Sequence, residues 1–389
     1  MKRLVILAAT LSPALILASC GSGYSTGEDA GEAVSTPAPT DNFTGFAITE
    51  HGTYDEPWAS AFIPGTSLLF ITEKPGTAKI YDTQADVPRL ITVSGLPEVD
   101  YGGQGGLGDV AFLPSESAPV MERRTIYLSF AEAGSGDTRG AAVGKGSLYC
   151  GQADECEVQN FEVIWRQAPK VTGRGHYSHR IVFSPDERYM FVSSGERQKQ
   201  TPAQDRSNTL GTIVRLDLDG NPAADNPFGD EVWTWGNRNI LSMDFAPDGR
   251  LWEIEHGPAG GDELNLVQRG ANYGWPTRSN GDNYDGSDIP DHTADDGFTK
   301  PVLSWTPVIA PGNMVFYTGD LFSGMTGDLI VAGLKTKALI RIEVDGTAAR
   351  EVARYDMGER IRQVVEGPDG ALWVLEDGDG GRLLELRPR

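Results

Sequence analysis

The chain has 389 residues, enough for a large core, and its formal net charge of −22 excludes the basic face that phosphate-backbone binding requires. Glycine is enriched at 48 residues, which together with many short strand-like runs favours a turn-rich, all-β chain. The acidity fits either plain solubility or cation binding.

Lys2-Arg3 precedes an apolar run from Leu4 to Leu17, followed by Ala18-Ser19-Cys20. The run is short for a membrane span and reads as an export signal, residues 1–19. Leu-Ala-Ser-Cys resembles a bacterial lipobox, so Cys20 is the expected lipidation site and anchors the chain on the periplasmic or outer side of a bacterial membrane. Residues 20–44, rich in Gly, Ser, Thr, Ala and Pro, read as a flexible tether to a domain spanning 45–389. Cys150 and Cys156 flank a short polar loop in SLYCGQADECEV; an exported chain meets oxidising conditions, and a local disulfide is expected.

An internal repeat runs through the rest. Each copy is an apolar strand, then Pro-Asp-Gly or a degenerate form, then a β-run with an aromatic residue, then an acidic or small polar residue. Copies lie at 61–74, 110–130, 181–196, 243–257, 314–333 and 364–378; equivalent positions 62, 112, 183, 245, 316 and 366 are spaced by 50, 71, 62, 71 and 50. Hairpin units at this period describe the four-stranded blades of a six-bladed β-propeller. The strand-like FTGFAITEHG (43–52) is expected to close the ring by pairing with the last blade. No long amphipathic helix competes with this reading.

Polar clusters precede or follow the hairpins at matching offsets: Tyr101–Gly106, Gly173–Arg180, Asn237-Arg238-Asn239, Lys335, and Glu359–Arg362. Their side chains should converge at one end of the channel as a ring of Gln104, His176, Arg238, Asn239, Lys335, Arg360 and Arg362. Like charges gathered there call for an anion carrying several carboxylates or phosphates; the alternative is that each arginine pairs with a local acid. The loop Gly257–Glu263 offers carbonyls beside carboxylates, a hard-oxygen set suited to Ca²⁺ or simply an acidic loop. His176 is the candidate general base, with His179 and His256 as competitors. No nucleophile elbow, dinucleotide fingerprint or phosphate loop stands in the strand-turn-helix context that gives such glycine patterns their meaning.

EHGPAGGDELNLVQRGANYGWP, GGQGGLGDVAFLP, GHYSHRIVFSPD, GNRN, DGNPAADNPF and the Arg-x-Arg before the last hairpin together resemble the soluble pyrroloquinoline quinone (PQQ)-dependent aldose sugar dehydrogenases, over roughly residues 45–389. The resemblance implies a six-bladed propeller holding PQQ and Ca²⁺. It implies that His176 takes the proton of the sugar C1 hydroxyl, hydride passes to the quinone, and Arg238 stabilises the reduced quinone. Gln104, Asn239, Lys335, Arg360 and Arg362 fall at cofactor positions, and Tyr284 lines the pocket. Gly257 and Pro258 match carbonyl ligands of the catalytic Ca²⁺; Glu263 and the Tyr273 carbonyl match a second Ca²⁺ site. A further contact falls to Gln200 or Gln204. The chain departs from the family at Gly175, where some members have Asp, at His179, where a glycine is usual, and at Asn237, where a His is common. Its compactness resembles the broad-specificity aldose enzymes.

The expected partners are an aldose and an external electron acceptor (a quinone, cytochrome or dye), with the membrane reached only through the lipid. Two competing readings are a Ca²⁺-dependent lactone or ester hydrolase on a similar propeller, which needs no cationic ring, and a non-catalytic propeller that binds protein or glycan.

Overall fold

The computed structural model describes residues 45–151 and 155–389. The expected signal peptide, the tether and Cys20 lie outside them. Among the described residues no helix is long and apolar enough to cross a membrane. Among the described residues the fold is all-β, with no helix beyond two short 3₁₀ turns, Pro114–Glu116 and Thr201–Gln204.

Every repeat copy forms an antiparallel hairpin. The first strands are Pro57–Phe62, Leu107–Phe112, Ser178–Phe183, Ile240–Phe245, Pro311–Phe316 and Ile361–Glu366. Each ends on one of the equivalent positions, 62 through 366. The Pro-Asp-Gly copies turn because glycine takes the left-handed position at no steric cost: Gly249 has φ +84 and Gly370 φ +82. In the third copy Glu187 occupies that position at φ 52. It is held by its carboxylate, which accepts from the Ser115 N–H and hydroxyl.

Each hairpin extends outward by two more strands. The third set continues with Thr212–Asp217 and Val232–Trp235, the fourth with Asp262–Leu266 and Leu303–Trp305, the fifth with Ala338–Asp345 and Ala348–Asp356. The first and second sets are joined into one eight-stranded sheet by parallel pairing of Arg89–Ser94 with Glu155–Arg166. The sixth set is completed by Phe46–Tyr54, which runs antiparallel to Gly381–Pro388 from the other end of the chain. Cys150 and Cys156 form a disulfide between neighbouring strands of the second set.

The first strand of each set packs against that of the next, and the sixth against the first, so these strands make a closed, propeller-like ring. They are not paired as a sheet. Side chains instead reach the neighbouring backbone: Asp109 accepts from Ile181 N–H at 2.9 Å, Asp244 from Phe316 N–H at 2.8 Å, Asn313 from Val364 N–H at 2.8 Å, and Gln363 from Ser60 N–H. The apolar faces between sets form the core, with Phe70, Ile80, Ile126 and Leu128 buried between the first two and Trp252, Ile254, Val331 and Ile340 between the fourth and fifth. Burying each such side chain contributes about 2 kcal/mol.

Arg180 crosses the middle of the ring. Its guanidinium bonds Asp109 at 3.1 Å, Leu241 O at 2.6 Å and Gly312 O at 3.0 Å, and lies 3.9 Å from the Trp58 ring centre. One buried side chain thus ties strands of the first, second, fourth and fifth sets to its own.

Candidate active site

The polar clusters meet where the first strands begin. The first is the turn Gly173–His179. His176, Ser178 and His179 are all left-handed, with φ of 47, 58 and 56, a conformation that costs non-glycine residues about 1 kcal/mol or more each. Neighbours hold it. The Gln104 side-chain carbonyl accepts from His176 N–H at 2.7 Å. Tyr177 O accepts from Gly195 N–H and His176 O from Arg197 N–H. Gly195 is needed there, because a Cβ would lie 2.1 Å from His176 O.

The His176 Nδ1 is hydrogen-bonded to Glu196 Oε1, and both side chains are buried. Burial pushes the Glu196 carboxyl up, but His176 and the Gln200 N–H outweigh that and hold it below the ordinary carboxylate range. An ionised Glu196 fixes the imidazole proton on Nδ1 and leaves the Nε2 lone pair open. Burial lowers the His176 pKa, with Arg238 and Arg197 adding to it and Glu196 opposing, so the ring is neutral and basic at working pH.

Glu196 was not singled out by the sequence, although the repeat carries it. It closes the third copy two residues beyond the second strand, whose last residue, Ser194, stands where Glu73, Glu255 and Glu376 end theirs. His179 is not a competing base. It is fully buried, stacked 4.9 Å from Trp58, bonded through Nδ1 to Ser129 Oγ, and pushed down to about 3 by burial. His256 is likewise pushed down to about 3, its Nε2 donating to Pro311 O.

Arg238 faces His176 from the next turn, and the two are linked through the Glu196 N–H donating to Arg238 O at 3.0 Å. Arg238 is 5% exposed. It donates to His256 O at 3.0 Å and Tyr284 Oη at 3.3 Å, and lies over Trp275. No carboxylate pairs with it among the described residues, and its buried Nε–H has no partner. A buried cation left in this state is costly unless an anion completes it. The backbone N–H groups of Arg238 and Asn239 are both held by Glu255 Oε2, and Asn239 Oδ1 accepts from Ser178 Oγ at 3.3 Å.

The loop after Glu255 is built to bring backbone oxygens together. A Cβ on Gly257 would meet Gly260 O and Gly261 O, each at 2.2 Å. The carbonyls of Gly257, Pro258 and Tyr273 have no hydrogen-bond donor among the described residues. A cavity of about 10 Å³, sized for one water or small ion, lies among Arg238, Glu255, Gly257, Glu263 and Tyr273. Burial raises the carboxyls of Glu253, Glu255 and Glu263, and the charge of Glu255 raises those of Glu253 and Glu263 further. Among the described residues no three His, Cys, Asp or Glu side chains form a metal-holding group, so a cation here would rest largely on backbone oxygen. Hard, donorless oxygens beside buried carboxylates fit Ca²⁺.

The rest of the expected ring divides. Arg360 and Arg362 share one carboxylate, Asp377, so their charge is partly compensated. Lys335 is exposed and makes no ion pair among the described residues. Tyr284 is 78% exposed, touching the site through its hydroxyl. Gln204 is committed to a reciprocal amide pair with Asn272 and to Trp275 O. The exposed Gln200 side chain is the one left available beside Glu196.

The family described as Glucose / Sorbosone dehydrogenase matches residues 54–385. The aldose sugar dehydrogenase YliI of Escherichia coli (strain K12) is 38% identical over 346 residues, covering 86% of this chain and 91% of the relative. A crystal structure of the soluble aldose sugar dehydrogenase of Escherichia coli in the apo form superposes with a TM-score of 0.80 at 37% identity, covering 88% of this chain and all of that one. The PQQ-bound form of an aldose sugar dehydrogenase from Streptomyces coelicolor superposes with a TM-score of 0.71 at 25% identity, covering 91% of this chain and all of that one.

Proposed function

The chain belongs to the glucose/sorbosone dehydrogenase family, and on that premise we propose that it is a quinoprotein that oxidises the C1 hydroxyl of an aldose to the lactone. The observation that carries this reading is the pairing of a neutral, carboxylate-held His176 with Arg238, a buried cation with an open donor. When bound, PQQ supplies the acceptor for the C1 hydride, and Ca²⁺ on the quinone supplies Lewis acidity.

The protein's own part is positioning and proton transfer. His176 Nε2 takes the proton of the C1 hydroxyl as the C–H bond is broken, and Glu196 stabilises the imidazolium that results. Arg238 grips anionic oxygen with its unused Nε–H and stabilises charge developing there. Gln104, Asn239, Gln200, Lys335, Arg360, Arg362 and Tyr284 are the residues that would hold the carboxylates of the cofactor. Gly257 and Pro258 would hold the catalytic Ca²⁺ through their carbonyls, and Glu263 with the Tyr273 carbonyl a second ion.

In this reading the four-stranded sets are six propeller blades, supported by the closed order of their first strands and the closing strand Phe46–Tyr54. Export with lipidation at Cys20 belongs to the same proposal and rests on the sequence alone; an intact mass of the membrane-extracted protein that lacks a lipidated Cys20 would remove it.

The test is reconstitution of the purified protein with PQQ and Ca²⁺, following dye reduction with glucose and other aldoses, beside His176→Ala and Arg238→Ala. Sugar-dependent reduction that needs both additions and collapses in both variants is expected. Absence of PQQ binding would instead favour the hydrolase or the non-catalytic propeller.

A further inference from the structure

Arg197 follows Glu196 directly and is fully buried, with an exposure of 0%. A buried arginine ordinarily faces a carboxylate. Among the described residues this one pairs with none. Its guanidinium donates to three backbone carbonyls instead: Gly175 O at 2.8 Å, Gly173 O at 2.5 Å and Arg139 O at 2.7 Å. It lies over Tyr177, 3.7 Å from the ring centre. Two of the three carbonyls belong to the turn that leads into His176, and the third belongs to the neighbouring sheet. The Arg197 backbone N–H donates to His176 O itself. Arg197 is left-handed at φ 60, so its own backbone strain is part of the same arrangement.

We propose that Arg197 is a positioning residue for His176: its guanidinium clamps the turn Gly173–His176 to the strand beginning at Arg139, and its uncompensated charge disfavours a second positive charge on the imidazole. The inference rests on His176 being the base, the reading given above.

The groups facing His176 are Glu196, which favours imidazolium, and Arg238 and Arg197, which oppose it; His256, pushed down by burial, remains neutral. A neutral residue in place of Arg197 removes one of the two opposing cations. The His176 titration should then rise by about one pH unit, the order expected from a single nearby charge. A lysine keeps the charge but cannot span three carbonyls with a planar fork. It should hold the titration near that of the wild type while loosening the turn.

The experiment follows the histidine resonances of the cofactor-free protein by NMR across pH, with His176 assigned through His176→Ala, in wild type, Arg197→Met and Arg197→Lys. This readout needs neither cofactor nor sugar, so a failure of the dehydrogenase reading leaves it standing. Expected are an upward shift in Arg197→Met, little shift in Arg197→Lys, and, in dye-linked assays, a kcat at least tenfold lower in both variants. An unmoved His176 titration in a folded Arg197→Met overturns the electrostatic part. Wild-type kcat in Arg197→Lys overturns the clamp. If Arg197→Met does not fold, Arg197→Lys must still titrate near wild type for the proposal to hold.

Discussion

Glu196→Gln is the sharpest probe of the base, because the carboxylate's two oxygens have different partners. Oε2 accepts from Gln200 N–H, and Oε1 contacts His176 Nδ1. Glutamine is isosteric. Its carbonyl oxygen must stay on the Gln200 N–H, since an NH₂ there would oppose a donor. The NH₂ then faces Nδ1 and makes it an acceptor, moving the imidazole proton to Nε2, the position that must be bare. General-base catalysis contributes about 10²–10⁴ in rate, which bounds the loss; a fall in kcat of about 10³ is expected. KM should change little, because Glu196 is buried and touches no substrate.

The pH dependence provides a second, independent sign. Glu196 raises the His176 pKa, whereas burial, Arg238 and Arg197 lower it. Without the carboxylate the folded-state value falls further, so the acid limb of the residual activity moves to lower pH. Steady-state dye reduction from pH 5 to 9 measures both effects. A variant within threefold of wild type at pH 7, or an acid limb displaced upward, would refute the assigned tautomer.

Two further outcomes test the frame beneath the site. Arg180→Met removes three hydrogen bonds and leaves Asp109 buried without its cation, at a cost of about 3–5 kcal/mol. With an unfolding entropy near 0.7 kcal/mol per kelvin for a body of this size, Tm falls by about 4–7 °C. Arg180→Met/Asp109→Leu should recover part of that in thermal melts, and a double variant weaker than the single contradicts the account. His179 is neutral when folded, with its pKa pushed down to about 3. The unfolded chain takes up that proton below about pH 6.5, so the histidine's contribution to stability is lost as pH falls through that window, by about 1.4 kcal/mol per unit. The stability advantage of wild type over His179→Gln should therefore shrink by about 2 kcal/mol between pH 6.5 and 5, and parallel denaturation curves at the two pH values would contradict it.

The hairpins were legible in the sequence because they are local. Alternation, a Pro-Asp-Gly turn and a second β-run lie within some twenty residues, and all six equivalent positions fall on the last residue of a first strand. The pairing of Phe46–Tyr54 with Gly381–Pro388 was legible for a topological reason: a ring of repeats with a strand-like piece left over at one end has one place to put it. The partners of the repeating acid were not legible. Glu73 binds Lys79, Glu255 binds the Arg238 and Asn239 backbone, and Glu376 binds Arg382. One position in the repeat thus serves three environments, set by loops that differ between copies, and the third copy puts Ser194 there and its acid, Glu196, two residues later against His176. The sharing of Asp377 by Arg360 and Arg362 was hidden in the same way, since it depends on which strand end faces the arginine pair. Nor does the sequence show that the bulk of His179 is accommodated by Gly108, seventy-one residues earlier, where a Cβ would lie 2.0 Å from the imidazole.

Three buried arginines near the axis separate what holds the fold from what is left for a ligand. Arg180 has a carboxylate and two carbonyls, and its charge is matched. Arg197 has three carbonyls and an aromatic face; its geometry is satisfied although its charge is not. Arg238 has one carbonyl and an exposed tyrosine, and it alone of the three keeps a buried N–H without a partner. The desolvation of a guanidinium is offset only when its donors are used. The three therefore form a series from structural closure to open valence, and the open end lies beside His176 and the donorless carbonyls. No acid is paired with the Arg238 guanidinium among the described residues as Asp109 is with that of Arg180. The carboxylates whose charge reaches it, Glu196, Glu255 and Asp262, are spent on His176 and on backbone N–H groups, so the proposed anionic ligand would complete the Nε–H they leave open.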